Sequence, residues 1–514
     1  MKVKITIVMS HEKTKTISDG ETRKSVIVTH DSSTTIMSSL LKHGLISGSF
    51  CGGRGDCGRC LVQFIQGATM PTALERSVLT AEKLRQGYRL ACLSKPKDDC
   101  VIRLAVEENK EIEIISDMMG VPQLNDCISQ YKTDALNRTS DVTDTIIAVD
   151  LGTTTIAMQL MEDGCGRVVD TYCEMNPQRC YGSDVLSRIK ASCEGEREKL
   201  QQLVLKVMEK GVERFKRKKT HIRGMCIAGN TTMEHLLMGY DVLSLGKSPF
   251  TPVEIGLQEY RNADWDFKVW ITPGISAFVG GDIVAGLYAL DMLPTGGSDF
   301  CAGDRQECDG GVKVLIDLGT NGEMAITDGI NMIVTATAAG PAFEGGAGAG
   351  IVGSDMIAIT AKLLQSGILD ETGLLEEPYF SEGISVGEPA IYLCNKDIRD
   401  LQMAKAAVRA GVEILWKKMG QPEIKQVYLS GGFGYFLNVE AAFRIGLLPG
   451  FMHDKVVAVG NTSLAGAYRI GCDLLHGKTG KEDMEERLSS ITSINLAEQE
   501  AFQRLYMQYI DLKN

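Results

Sequence analysis

Cys51, Cys57, Cys60 and Cys92 are separated by five, two and 31 residues. A two-iron cluster needs four thiolates, two on each iron, held by a loop that folds around inorganic sulfides. Small residues let backbone N–H groups turn toward those sulfides, and Gly52, Gly53, Gly55 and Gly58 stand among the first three cysteines. The fourth thiolate would arrive from a distant strand, as Leu90-Ala-Cys92 allows. Zinc on the same four thiols is the alternative, although zinc knuckles pair two close CxxC arms and this loop has one. Cys100 is a rival for the fourth position, and the other cysteines, scattered singly, read as small buried hydrophobes.

A second set of residues suits phosphate. Asp150-Leu-Gly-Thr-Thr-Thr155 follows the apolar pattern Ile146–Val149, and Asp317-Leu-Gly-Thr-Asn-Gly322 follows Val312–Ile316. A carboxylate at a strand end can hold Mg2+ through water, which assigns Asp150 and Asp317 to the cation. Gly152, Thr153, Thr154 and Thr155, with Gly319, Thr320, Asn321 and Gly322, bring backbone N–H and side-chain donors to phosphate oxygens. Past the strand pattern Gln426–Ser430, Gly431, Gly432, Phe433 and Gly434 would let the backbone lie flat against a purine and ribose. An ordinary strand-to-helix turn is the alternative there. One Asp-x-Gly-Thr turn is weak evidence; two in the same strand context are strong.

The elements that must position these groups follow from periodicity. Val3, Ile5 and Ile7 alternate in one strand and Val26 and Val28 in another, joined by a polar turn. The spacing predicts a helix from Thr35 to His43, capped by Ser33 or Thr34, then strands at Leu61–Ile65 and Val101–Leu104. Residues 106–143 are polar and read as a linker. Beyond them the chain echoes itself. Each Asp-Leu-Gly-Thr turn is followed by a hairpin, one turning at Asp163-Gly164 and the other at Asp328-Gly329. This predicts two related α/β halves facing each other. Gly280-Gly-Asp282 opens a helical run Ile283–Leu290, and Gly460–Ala467 supplies small residues for a close helix. The amphipathic segment Ala497–Leu512 is expected to pack on the second part of the chain.

Composition bounds the reading. The chain has 514 residues, 54 Lys plus Arg against 66 Asp plus Glu, and a net charge of −12. Such an acidic chain is a poor non-specific nucleic-acid binder. The basic run Arg214–Lys219 reads as the solvated end of a helix. No apolar run is long enough to cross a bilayer, and the alternating N-terminus is no signal peptide, which together imply a cytoplasmic protein. Fifteen cysteines, an odd number in a reducing compartment, argue against a disulfide framework. The 55 glycines are about 11% of the chain where roughly 7% is usual.

The cysteine spacing and loop resemble the 2Fe–2S ferredoxins, in the branch with five residues between the first two ligands; the plant-type branch has four. The phosphate turns, the Gly280–Asp282 and Gly460–Ala467 helices and the Gly431–Gly434 turn resemble, in order, the five sequence elements of the ASKHA superfamily of actin, sugar kinases and chaperone ATPases. That resemblance implies ribonuclease-H-like halves with ATP and Mg2+ in the cleft between them. It also nominates Asp282, placed where the chaperones carry an acidic residue, to orient the attacking water, beside Asp150 and Asp317. A plain helix N-cap is the alternative for Asp282.

Joined in one chain, the modules resemble the reductive activators of corrinoid proteins. Ala228–Leu237, Ser248–Pro252 and Ala339–Gly346 look like that family's signatures. The resemblance implies an α/β multidomain protein: a β-grasp 2Fe–2S ferredoxin domain (1–105), a linker (106–143) and a two-lobed ASKHA ATPase domain (144–514, lobes meeting near 305). It implies ATP-dependent transfer of one electron from the cluster to a Co(II) corrinoid protein of a methyltransferase or O-demethylase system, fed by a low-potential donor. Some relatives carry C-terminal cysteine clusters; only Cys394 and Cys472 lie beyond residue 308 here, so electrons must enter through the N-terminal cluster. The short linker also leaves little room for the extra middle domain of larger relatives. A small-molecule kinase would use the same phosphate turns but leaves the cluster unexplained. An activator of radical dehydratases needs a cysteine pair inside the ATPase domain, and none suits. A redox sensor with structural ATP is the non-enzymatic alternative.

Overall fold

The computed structural model describes residues 2–8, 25–43, 45, 53, 55, 60–79, 81–104, 143–182, 184–294, 311–319, 321–338, 353–386, 391–431, 434 and 436–513. Residues 106–142 of the expected linker, Cys51, Cys57, Gly52, Gly58, Thr320, Gly432, Phe433 and the Ala339–Gly346 signature lie outside them, and the linker's last residue, Thr143, belongs to a strand. The chain forms two compact units. One is built on the N-terminal residues and also contains Pro177–Ala191; the other contains the remaining described residues. No helix among the described residues is long and apolar enough to cross a membrane.

In the first unit β1 (Lys2–Val8), β2 (Ser25–Asp31), β3 (Leu61–Gln66), β4 (Tyr88–Leu90) and β5 (Cys100–Leu104) form a sheet in the order β2-β1-β5-β3-β4. β1 runs parallel to β5, and the other pairs are antiparallel. The helix Ile36–Lys42 covers one face, where Ile5, Ile7, Leu40, Phe64, Leu90 and Ile102 make the core. This is the β-grasp arrangement. The helix begins later than its expected cap: Thr35 Oγ1, not Ser33 or Thr34, accepts the Ser38 N–H at 3.3 Å. Two helices absent from the sequence reading, Ala73–Val78 and Ala81–Arg85, fill the stretch between β3 and β4. A capping box starts the first, Thr72 Oγ1 accepting the Glu75 N–H while Glu75 accepts the Thr72 N–H.

The second unit holds two six-stranded sheets. β6 (Thr143–Leu151), β7 (Thr155–Glu162), β8 (Val168–Met175), β9 (Thr220–Gly229), β10 (Gln258–Tyr260) and β11 (Lys268–Ile271) lie in the order β10-β11-β9-β6-β7-β8. β12 (Val312–Leu318), β13 (Gly322–Thr327), β14 (Met332–Thr337), β17 (Ile424–Ser430), β18 (Val456–Ala458) and β19 (Ile491–Asn495) lie in the order β18-β17-β12-β13-β14-β19, while β15 (Ile384–Val386) and β16 (Ile391–Leu393) form a separate ribbon. Within each sheet three strands run as an antiparallel meander, a fourth joins its first strand in parallel and a fifth joins the fourth in parallel. The echo therefore extends beyond the turn and hairpin to five corresponding strands, the ribonuclease-H-like pattern. Central β6 is buried from Thr145 through Val149, as expected of a strand covered on both faces.

Two helices join the halves. Gly281–Ala289 packs on Thr462–Leu475 at small residues: a Cβ on Gly466 would come within 1.8 Å of the Ala285 carbonyl oxygen, and one on Gly286 within 2.8 Å of Thr462 Oγ1. The C-terminal helix Glu500–Gln508 lays Phe502, Leu505 and Tyr506 on the core of the second half, as its amphipathic pattern predicts. The basic run does end a helix, Arg197–Lys216, with Arg214 and Lys218 paired to Asp170.

Candidate functional site

The cysteine site is built by the β3–β4 pair. Leu61 lies opposite Leu90, and the Ala91 N–H donates to the Cys60 carbonyl at 2.7 Å, so the chain leaves both strands at the same edge. This brings Cys60 Sγ and Cys92 Sγ to 3.2 Å from residues 32 apart in sequence. Neither thiol is in a disulfide, so the pair converges as two ligands of one metal centre would. Gly53 and Gly55 both take positive φ, +85° and +82°. A side chain at Gly55 would strike Leu93 Cδ1 at 2.7 Å, one residue beyond Cys92. Gly55 thus lies close to the chain just beyond Cys92, and a converging thiol pair beside such glycines suits an iron–sulfur cluster. It is Cys92 that meets Cys60, whereas Cys100 lies buried in β5, where burial followed by the charge of Asp99 pushes its thiol up to about 11. The thiolate that a metal requires is disfavoured there.

Buried Glu75 fixes the strand leading into Cys92. Its Oε1 accepts the Leu90 N–H at 2.8 Å, while its other oxygen completes the capping box. The sequence reading passed over Glu75; Thr72-x-x-Glu75 was the signal.

In the second unit the paired turns place their aspartates at the ends of the central strands. Asp150 accepts from Asn461 Nδ2 at 2.8 Å and Ser463 Oγ at 3.1 Å. Asp317 accepts from Ser430 Oγ at 2.6 Å. Buried Asn176 braces the first turn, donating from Nδ2 to the Gly152 carbonyl and from its N–H to the Thr154 carbonyl, each at 2.8 Å. In the second turn the Gly319 N–H donates to the Asn321 carbonyl at 2.9 Å, and Gly322 opens β13. Gly431 follows Ser430 at φ +86°; a Cβ there would lie 2.7 Å from Asp317 Oδ1, so only glycine lets this turn reach the aspartate. Gly434 lies against Leu429. Thr153 is buried and Thr155 begins β7.

Asp282 is not the helix cap. Gly280 holds that position and Asp282 is the second helical residue. Gly280 and Gly281 press the helix start against the first half, where added Cβ atoms would meet Thr231 N at 2.5 Å and Thr272 Oγ1 at 2.1 Å. Burial, then the charge of Asp317, pushes Asp282 up to about 7. Burial raises Asp317 to about 6, opposed by the Ser430 hydrogen bond and helped by Asp150. Asp150 is raised by burial against its two donors.

Two further carboxylates join this group. Glu323 stands directly opposite Asp317 in the β12–β13 register, and burial with the charges of Asp282 and Asp317 raises it well above the carboxylate range. Glu234, on the helix Thr231–Met238, accepts the Gly229 N–H and Thr272 Oγ1, and is raised by burial and Asp282. Periodicity and motif spacing assign neither residue a role; an acid inside an otherwise apolar strand or helix pattern is the signal that could have found them. The halves differ here, because the residue opposite Asp150 is Ala157.

Buried carboxylates that raise one another's proton affinity create a field that favours a cation. Among the described residues, no group of three or more His, Cys, Asp or Glu side chains is arranged to hold a metal ion directly. One or two carboxylates acting through water suit Mg2+ better than an all-protein cage.

Family models agree with this architecture. The 2Fe-2S iron-sulfur cluster binding domain matches residues 19–97, the RACo middle region 145–294, and the C-terminal ASKHA domain of RACo 311–349 and 347–514. The chain is 27% identical over 391 residues to the corrinoid activation enzyme RamQ of Eubacterium limosum, covering 62% of this chain and 63% of that protein. It is 24% identical over 345 residues to the [Co(II) methylated amine-specific corrinoid protein] reductase of Methanosarcina barkeri, covering 56% and 58%. The matched regions thus span less than two thirds of either relative's length. The solved structure of a reductive activator for corrinoid,iron-sulfur protein shares the fold, with a TM-score of 0.61, 24% identity and coverage of 99% of this chain and 98% of that one. With the middle-region and ASKHA models matched in order behind a 2Fe–2S domain, the chain belongs to the RACo family of reductive activators of corrinoid proteins.

Proposed function

We propose that this chain uses ATP to drive one electron from a 2Fe–2S cluster onto the Co(II) state of a corrinoid protein, regenerating Co(I) for methyl transfer. The observation that carries the reading is the union in one chain of the Cys60–Cys92 thiol pair with the paired aspartates Asp150 and Asp317, the charge of the first raising the proton affinity of the second. The names of the relatives, a corrinoid activation enzyme and a Co(II) corrinoid protein reductase, support a corrinoid protein as the acceptor. We take residues 1–105 as the ferredoxin domain, 106–143 as the linker and 144–514 as the ATPase.

Each residue then has a task. Cys51, Cys57, Cys60 and Cys92 hold the cluster, which supplies one-electron chemistry. Asp150 and Asp317 hold Mg2+ through water, and the turns Gly152–Thr155 and Gly319–Gly322 present donors to the phosphates. Gly431 to Gly434 lie beneath the purine. Asp282, with a proton affinity near neutrality, orients the attacking water.

Nucleotide is required because Co(I) lies uphill from ordinary ferredoxin donors. For one electron, about 59 mV corresponds to roughly 1.4 kcal/mol. Holding the Co(I) form about 4 kcal/mol more tightly than the Co(II) form would raise the cobalt potential by roughly 170 mV. Removing a cobalt ligand on docking produces such a difference, and ATP turnover resets the docked state.

The test combines holoprotein, a Co(II) corrinoid protein, a low-potential reductant and ATP. The Co(I) absorption band should grow only with ATP, and Cys57→Ala should abolish it while nucleotide binding persists. Phosphate transfer to a sugar or acid, with no Co(I) formed, would identify a kinase instead.

A further inference from the structure

The net charge of −12 hides an uneven distribution. Residues 1–105 carry 16 Lys and Arg against 9 Asp and Glu, a formal +7, which leaves −19 for residues 106–514. A cationic module within an anionic chain attracts polyanionic surfaces that the rest of the protein repels.

The described surface beside the cluster site has the form of a docking face. Met70 is 86% exposed and Leu74 39%. Their segment is pinned next to the cluster: Arg89 Nε donates to the Thr69 carbonyl at 2.8 Å, and Glu75 holds the Leu90 N–H, two residues before Cys92. Arg76, on the same helix as Leu74, is exposed, as are Lys95 and Lys97, three and five residues after Cys92. Exposed Asp98 and Asp99 follow Lys97, so the cationic rim consists of Arg76, Lys95 and Lys97, and an exposed apolar centre beside such a rim matches the core-and-rim anatomy of transient protein interfaces.

We propose that this face receives an acidic one-electron donor protein, a small redox protein whose negative surface surrounds its flavin or iron–sulfur centre. The proposal rests on the cluster reading above and names the donor class for it. The step is a single electron: the donor centre is oxidised by one electron and the oxidised 2Fe–2S cluster is reduced by one, with no bond made or broken. Charge attraction sets the encounter rate, and Met70 with Leu74 supplies the contact that brings the centres close.

Stopped-flow reduction of the full-length holoprotein tests it with two reductants, an acidic flavodoxin in its hydroquinone state and the small cation reduced methyl viologen. The flavodoxin rate should fall about tenfold or more between about 0.05 and 0.5 M salt, and by a similar factor in R76E/K95E/K97E. The Met70→Ser/Leu74→Ser variant should slow it without changing the salt slope. Viologen should reduce every variant at the wild-type rate or faster, which verifies an intact cluster module; if the triple variant loses its cluster, K97E alone is used. A flavodoxin rate unchanged within about twofold by salt and by charge reversal would overturn the proposal. So would a reversal that spares donor oxidation but slows Co(II) reduction from a pre-reduced cluster, because the face would then serve the acceptor. Failure of viologen to bleach the cluster absorption would instead overturn the cluster reading.

Discussion

Cys92 and Cys100 show how placement decides chemistry between identical side chains. One thiol leaves the end of β4 and meets Cys60; the other points into the β-grasp core, where burial keeps it protonated. Cys92→Ser should therefore lose the cluster's visible absorption, whereas Cys100→Ala should retain it and cost about 1 kcal/mol of stability. Glu323 makes a second residue-scale case. Two carboxylates directly opposite on one face of an antiparallel pair repel when both are charged. The folded-state proton affinity of Glu323 is raised above its ordinary value. Its contribution to stability is therefore full below that ordinary pKa and is lost as pH rises through the raised value. In nucleotide-free protein, Glu323→Gln should be as stable as wild type near pH 5 and about 2 °C or more higher melting at pH 8, read by scanning fluorimetry. Equal melting temperatures at both pH values would show that the pair is not in conflict.

At the scale of elements, the helices Gly281–Ala289 and Thr462–Leu475 cross at close range. The crossing depends on Gly466 facing the Ala285 carbonyl, and it holds Asn461 and Ser463 on Asp150. Gly466→Ala must separate the helices, at a cost of about 3 kcal/mol or more. The variant should unfold at lower urea concentration, and its ATPase activity should fall more steeply than its stability, because Asp150 loses both donors together. Unchanged activity in a folded Gly466→Ala protein would mean that this crossing does not position the aspartate. The strand echo belongs to this scale as well. The turns and hairpins are visible as motifs, whereas the parallel partners β9, β11, β17 and β18 come from distant segments and only the sheet order reveals them as equivalent.

Across the whole molecule, a ferredoxin unit and a two-sheet ASKHA unit have separate cores. A ligand that binds only the folded form of one core stabilises that core, by about 2.7 kcal/mol at a hundred times its dissociation constant. Calorimetry should therefore resolve two transitions. ADP with Mg2+ should raise one by several degrees, and loss of iron should lower the other without moving the first. A single transition that both ligands shift would mean the units unfold together.

By itself the sequence determined what is local. Ligand spacing, the glycines that let a loop close on a metal, and the two Asp-Leu-Gly-Thr turns are set within a few residues, because turn geometry and donor type are short-range properties. The spacing therefore carried the cluster reading, and the paired turns carried the nucleotide reading. Only the tertiary structure decided which distant groups share a field. Cys92 rather than Cys100 meets Cys60 because β3 pairs with β4 in one register. Glu323 joins Asp317 because β13 pairs with β12 in one register, and a shift of a single residue would turn it to the opposite face. Asp282 lies among carboxylates from both halves because two glycine-lined helices cross at close range. Electrostatics depends on distance in space, and for these groups the register and the helix crossing set that distance.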